Sequence, residues 1–179
     1  MTLGLEAYHY TDKEAKQILD SLVYLVDTRE QENKHIIDTF DKMKLKHKSK
    51  ALGSADFSVM IPRNTELGIM RDIYLDDAIA IERKRSLEEL SANIAQYRQR
   101  FRNELIRTNA SVHLVVEDGS FERVLRGDYL TSLENKAYYR SLLCLQAEFG
   151  LHIDFIPHNL AGFHIAQLLQ CYVKELLKI

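Results

Sequence analysis

The chain has 179 residues, enough for one domain with a substantial core, and 46% of them are apolar against 28% charged, with two prolines and seven glycines. That composition excludes disordered and fibrous classes, and no apolar run approaches the roughly 18 residues that span a bilayer. A formal net charge of −2 excludes a global attraction to nucleic acid, so any contact with it has to come from local patches.

The opening, MTLGLEAYHYTDKEAK, lacks both the basic segment and the long apolar segment of a signal peptide. Cys144 and Cys171 sit among apolar residues and read as buried thiols of a cytoplasmic protein, too few for a disulfide framework. Thr11 and Glu14 have capping-box spacing, and Ala15, Ile18, Leu19 and Leu22 continue a helical stripe. LVYLV (22–26), bounded by Asp27, is predicted to be a buried strand, and Ile36, Ile37, Phe40 and Met43 carry a helix through 31–43. In KMKLKHKSK (42–50) the lysines fall at every second position. Extended, Lys44, Lys46, Lys48 and Lys50 share one face and could follow a phosphate backbone; otherwise the segment is a solvated linker.

ADFSVMIP (55–62) is the second predicted strand, followed by an irregular connection and a third strand ending in AIAIERK. Ser86 can cap a long helix over 87–107, with Leu87, Leu90, Ile94, Tyr97, Phe101 and Leu105 on one side. VHLVVED (112–118) is a fourth strand, a helix is expected near 132–149, LHIDFIP (151–157) is a strand, and a final helix runs over 160–177. Strands alternating with helices predict an α/β fold, a central mixed β-sheet flanked by helices on both faces. The whole chain, 1–179, is expected to be one domain, with 1–21 an N-terminal helical extension and 22–179 the core.

Charged residues at the end of a buried apolar strand are costly unless paired or bound to something. IAIERK (79–84) ends in three of them. Asp27 closes one strand, Asp56 opens the next and Glu82 closes the third, with Lys84 two residues on and therefore on the same strand face. Converging carboxylates without cysteine or histidine make a hard oxygen site suited to Mg²⁺ or Mn²⁺, and a neighbouring lysine can offset charge on a phosphate. Surface salt bridges at strand ends are the structural alternative.

The motifs VDTRE (26–30), LGSADFS (52–58) and IERK (81–84), in that order, resemble the XPF-type endonuclease family, whose hallmarks are V-D-x-R-E, L-x-x-G-D-Y and E-R-K with an acidic residue four positions on. The resemblance runs from about residue 22 to the end of the chain. It implies a restriction-endonuclease-like core, with Asp27, Asp56 and Glu82 as carboxylates for Mg²⁺ or Mn²⁺ and Lys84 as the catalytic lysine. Arg29, Glu30 and Arg83 would form a supporting charged shell, with Arg29 or Arg83 joining Lys84 on the phosphate. Glu88 stands where the family has aspartate, and Arg100, followed by Phe101, matches an arginine on the next helix. Ala55 and Phe57 replace the family's glycine and tyrosine, and the longer connection over 63–77 reads as an insertion. The literal GDY at 127–129 follows the ERK motif and reads as a turn.

By the same resemblance the activity would be metal-dependent cleavage of branched DNA (3′ flaps, forks or junctions) in recombination, repair or replication. The family pairs through its nuclease domains, so the apolar last helix, with Phe163, Ile165, Leu168, Leu169, Tyr172, Val173 and Leu176, is core or, in part, a homodimer face. No helix-hairpin-helix signature precedes Ile179, which leaves DNA binding to the chain's own basic segments, a partner or a dimer. Such a form fits the bacterial nucleoid or, for a phage, the host cytoplasm. A non-catalytic DNA-binding or scaffolding subunit is the rival function. Arg98, Arg100, Arg102 and Arg107 are candidate DNA contacts or ordinary exposed arginines. His152, His158 and His164 recur every six residues, which does not align them on a helix, and they and His113 read as ordinary histidines.

Overall fold

The computed structural model describes residues 9–53, 55–96, 98–107 and 110–178, with the side chains of 98, 100, 104 and 107 outside that set. In chain order the elements are α1 (Asp12–Ser21), β1 (Val23–Asp27), α2 (Lys34–Lys42), β2 (Lys46–Lys50), β3 (Phe57–Ile61), β4 (Ile73–Tyr74) and β5 (Ile79–Lys84). They continue as α3 (Leu87–Ala95), α4 (Arg98–Arg107), β6 (Ser111–Glu117), α5 (Phe121–Arg126), α6 (Asn135–Phe149), β7 (His152–Ile156) and α7 (Ala161–Leu176). Among the described residues the strands form a seven-stranded sheet in the order β2-β1-β3-β5-β6-β7, with β4 paired to β3 off that path. The β1–β2, β5–β6 and β6–β7 pairs are parallel, and those of β3 with β1, β4 and β5 antiparallel. The predicted mixed sheet with helices on both faces is what the chain builds.

Alternation along the strands sorts the core into two layers. Tyr24, Val26, Phe57, Val59, Ile61, Ile79, Ile81 and Val115 face α1, α2 and α7. Ala80, Val112, Leu114 and Val116 face α3 to α6. On that second face the β1–β3 half is covered only by a small cluster of Leu25, Leu52 and Met60, so the helical layer stops beside the ends of β3 and β5. The predicted capping box holds α1, with Thr11 and Glu14 bonded reciprocally, and Ile18 and Leu22 join the first layer. At Gly162 in α7 an added Cβ would lie 3.1 Å from the Ile36 Cα and 2.7 Å from the Thr39 Cβ. Helices α2 and α7 therefore meet almost backbone to backbone.

Four sequence expectations change here. The single helix over 87–107 is two helices, α3 and α4, with no proline or glycine at the junction. Both drop apolar residues (Leu87, Leu90 and Ile94 from one, Phe101 and Leu105 from the other) into the same cluster, and Tyr97, expected on that side, lies outside the described residues. Helix α5 has no counterpart among the expected elements: six residues are too few for a periodic signal, and it is held by a Ser120 cap and a left-handed Gly127. The GDY segment thus begins at a helix C-cap, as a turn. Cys144 and Cys171 are exposed, not buried, because they fall on the outer faces of α6 and α7. Finally, 63–77 is no bare loop. It contains a 3-10 turn at Thr65–Leu67 and strand β4, and it sends Ile69 and Leu75 into the first core layer.

Candidate active site

Asp56 and Lys84 meet on the sheet face that α3 leaves open. Glu82 and Lys84, two residues apart on β5, point the same way, and the Lys84 Nζ donates to the Glu82 Oε1 at 2.6 Å. Asp56 reaches this face from the antiparallel neighbour: its backbone N–H donates to the Ile81 carbonyl, and its Oδ2 accepts the Arg83 backbone N–H at 2.7 Å. Burial, then the Glu82 charge and, more weakly, Glu30 push the Asp56 carboxyl well above its ordinary value, against the Arg83 N–H and Lys84. Burial works against the Lys84 ammonium, but the Glu82 carboxylate, bonded to it, and Asp56 outweigh that and raise its pKa. Lys84 is therefore a cation at neutral pH, 5.7 Å above the Phe101 ring. Two carboxylates, Asp56 and Glu82, share this face with one committed ammonium, while Glu30, near enough to raise Asp56, is paired with the Arg83 guanidinium. That donor set is all hard oxygen and short of positive charge, which is the chemistry that fits Mg²⁺ or Mn²⁺.

Asp27 lies beside Asp56, linked through its backbone N–H to the Asp56 carbonyl at 2.8 Å, but its carboxylate, 1% exposed, is occupied. Oδ1 accepts the Arg29 N–H and Nε at 2.7 and 3.0 Å, and Oδ2 accepts the Arg29 Nη2 and the Leu52 N–H at 2.7 and 3.1 Å. Four donors fill the four acceptor positions of a carboxylate. Burial opposes its ionised form, but the bonds from Arg29 and Leu52 prevail and hold its carboxyl below the ordinary range. Ala55 does not carry a positive φ, so alanine replaces glycine there without strain. Phe57 is fully buried in the apolar first layer.

Arg83, between Glu82 and Lys84 in sequence, faces the opposite side of the sheet and is 2% exposed. Its Nε and Nη2 form a fork on Glu117, the last residue of β6, at 2.6 and 3.0 Å. Its Nη1 donates to the Glu30 Oε1 and to the Glu32 carbonyl, both at 3.1 Å. Glu117 also takes the His35 Nε2 on Oε1 at 2.8 Å and the His158 Nδ1 on Oε2 at 2.7 Å. The two imidazoles stack with centroids 3.9 Å apart. Burial raises the Glu117 carboxyl, but Arg83, His158 and His35 together bring it down to about 2. Among the described residues, His35, Glu117 and His158 are also the group of three potential metal ligands whose donor atoms all lie within 4.8 Å of one another; the trio Asp27, Asp56 and Glu82 is not so closely drawn. Sequence reasoning did not single out His35 or Glu117, and it read His158 as an ordinary histidine. The signal was available for Glu117, because VHLVVED ends a buried strand on a charge just as AIAIERK does.

Glu88 turns away from the cluster and accepts the Leu130 N–H at 2.9 Å. Arg102 pairs with Glu148 and lies over Phe149. The side chains of Arg98, Arg100 and Arg107 lie outside the described residues. The lysine segment is strand β2. Its register with β1, Leu25 opposite Lys48 and Asp27 opposite Lys50, turns Lys46, Lys48 and Lys50 onto the face that carries Asp27 and Met60. There Lys48 meets the Met60 sulfur and the Tyr74 hydroxyl at 3.3 and 3.2 Å, and Lys50 bonds Asp76 at 2.6 Å. Lys44 precedes the strand in a left-handed turn and does not share the alternation. The remaining histidines of the second half have partners: His113 and His164 approach Asp154 at 3.2 and 3.6 Å, and His152 stacks on His113.

The model of one family, described as the ERCC4 domain, matches residues 26–161. The fold is similar to that of XPF from Aeropyrum pernix (TM-score 0.59, 15% identity over 84% of this chain and 61% of that one). It is equally similar to the same protein solved as a complex with DNA (TM-score 0.59, 18% identity, 86% and 66% covered). This chain thus spans less than two-thirds of either. No curated protein matches it.

Proposed function

Because this chain belongs to the ERCC4 domain family, we propose that it is a divalent-metal-dependent DNA endonuclease acting at branched DNA. The observation that carries the proposal is Asp56 beside the Glu82–Lys84 pair on one sheet face, two carboxylates whose repulsion, felt in the raised Asp56 carboxyl, a bound cation would relieve. Asp56 and Glu82 would hold Mg²⁺ or Mn²⁺. Asp27 would join them by giving up the two bonds of the Arg29 guanidinium, whose side chain is 69% exposed and able to swing out. The ion would supply Lewis-acid activation of the scissile phosphate and of the attacking water.

The chain's own groups divide the remaining work. Lys84, kept as an ammonium by Glu82 and Asp56, is a fixed positive charge for the phosphate and has no free pair with which to act as a base. Arg29, released from Asp27, offers a fork suited to phosphate oxygens. Arg83 has no such role, since every nitrogen of its guanidinium is bonded inside the protein. The ribbon of Lys46, Lys48 and Lys50 lies on the same face as the carboxylates and would follow the DNA backbone away from the cut. The Aeropyrum protein of similar fold, solved with DNA, supports the choice of ligand. Leu160 and Phe163, half-exposed at the start of α7, would pair two copies into a homodimer.

The test is cleavage of labelled 3′ flap, fork, Holliday junction, duplex and single strand with Mg²⁺ or Mn²⁺, beside Glu82→Gln and Lys84→Ala. We expect metal-dependent cuts near a branch that both substitutions abolish. Cutting that survives both would reject the site, and tight binding of branched DNA without cutting would identify a non-catalytic subunit instead.

A further inference from the structure

We propose that Glu117, with His35 and His158, is a positioning residue for this site, acting through Arg83, and that the inference rests on the nuclease function proposed above. Arg83 touches both sides of the sheet. Its backbone N–H bonds the Asp56 carboxylate at 2.7 Å, while its side chain holds Glu30 at 3.1 Å and Glu117 at 2.6 and 3.0 Å. One residue therefore links Asp56 and Glu30 to a carboxylate 34 residues away in sequence. A guanidinium 2% exposed, on a carboxylate 1% exposed, has no water to stand in for a missing partner, so its orientation depends on the fork. The two histidines fix the other end: each donates to a different oxygen of Glu117, which leaves the carboxylate a single orientation toward Arg83. Glu117 thus sets the Arg83 side chain, and that side chain sets where Glu30 sits beside the backbone-held Asp56.

Two imidazoles and a carboxylate are also a transition-metal donor set. The Arg83 fork argues against that use. Both oxygens of Glu117 already carry guanidinium bonds, and a divalent ion on them would sit against a buried positive charge.

The test compares Glu117→Gln, Arg83→Gln, the double variant, and His158→Ala beside His158→Asn, whose amide can replace the Nδ1–H. His158 is 53% exposed, so its variants fold whatever becomes of Glu117→Gln. The expected result is a fall in kcat of about tenfold or more in Glu117→Gln with KM for branched DNA little changed, a size typical of residues that orient a site from behind. His158→Asn should recover most of what His158→Ala loses. The double variant should be no slower than Arg83→Gln alone, since both act on one path. Unchanged kcat in Glu117→Gln, equal losses in the two His158 variants, or additive losses in the double variant would each overturn the inference. Should the wild-type protein cut no DNA, the nuclease function fails but this inference does not. It then predicts that the Mn²⁺ concentration needed to raise the melting temperature increases about tenfold in Glu117→Gln, and an unchanged concentration would reject it.

Discussion

Asp56 is the residue at which stability and the proposed function oppose each other. Its folded pKa is raised, so the native state holds the proton more tightly than the unfolded chain, and stability falls as pH rises from the ordinary value of 3.8 towards the raised one. At neutral pH without metal an ionised Asp56 therefore costs the fold. Asp56→Asn keeps an oxygen for the Arg83 N–H and removes the charge. We expect it to raise the melting temperature of the metal-free protein at pH 7 by roughly 2–4 °C, about 1 kcal/mol for a chain of this size. Added Mn²⁺ should stabilise the wild type and not the variant; calorimetry with and without Mn²⁺ checks both. Glu117 has the opposite sign. Its folded pKa is depressed from 4.5 to about 2, so its contribution is complete above the ordinary value and is lost as pH falls from there toward the folded one. Glu117→Gln should be less stable than wild type by about 3 kcal/mol at pH 7, the cost of leaving a buried guanidinium without its counter-charge. The gap should close between pH 4.5 and about 2 in urea unfolding, and a gap independent of pH would exclude the ion pair as its cause.

Among the elements, β2 shows how register decides what an alternating pattern means. Five lysines at every second position over 42–50 are compatible with a linker or a ribbon. Pairing parallel to β1 makes the segment an edge strand, and the register puts Lys46, Lys48 and Lys50 on the carboxylate face. Neutralising these three with glutamine should weaken binding of branched and plain duplex DNA alike, because charge on phosphates carries no sequence or junction information. The salt dependence of log K should flatten by about 0.9 for each phosphate that a lysine no longer neutralises, measured by fluorescence anisotropy between about 50 and 200 mM salt. An unchanged slope would return the strand to an edge that its charges merely protect from pairing.

For the whole molecule, two helical layers cover the sheet unequally. One layer spans β1 to β6; the other covers the β5–β7 half and ends beside Asp56 and Glu82. Where α7 begins, Leu160 is 48% and Phe163 52% exposed. We expect sedimentation of the pure protein to give a dimer, and Phe163→Glu to give a monomer that keeps its fold. A monomeric wild type would reject the dimer and leave the two residues as ordinary surface.

Much of this was legible in the sequence because it depends on local periodicity. Period-two alternation put Glu82 and Lys84 on one face, and the motif order around Asp27, Asp56 and Glu82 identified the family. The alternation of strands and helices implied the fold class. Tertiary structure alone decided the partners. The same alternation that joins Glu82 to Lys84 sends Arg83 to the other face, and nothing near it in the chain says that Glu117 waits there 34 residues on, between histidines from α2 and from the turn after β7. Nor does VDTRE reveal that Arg29 folds back to occupy Asp27. Side-chain direction follows from backbone period, which is local, whereas charge pairing follows from strand order and helix placement, which only the packed core determines.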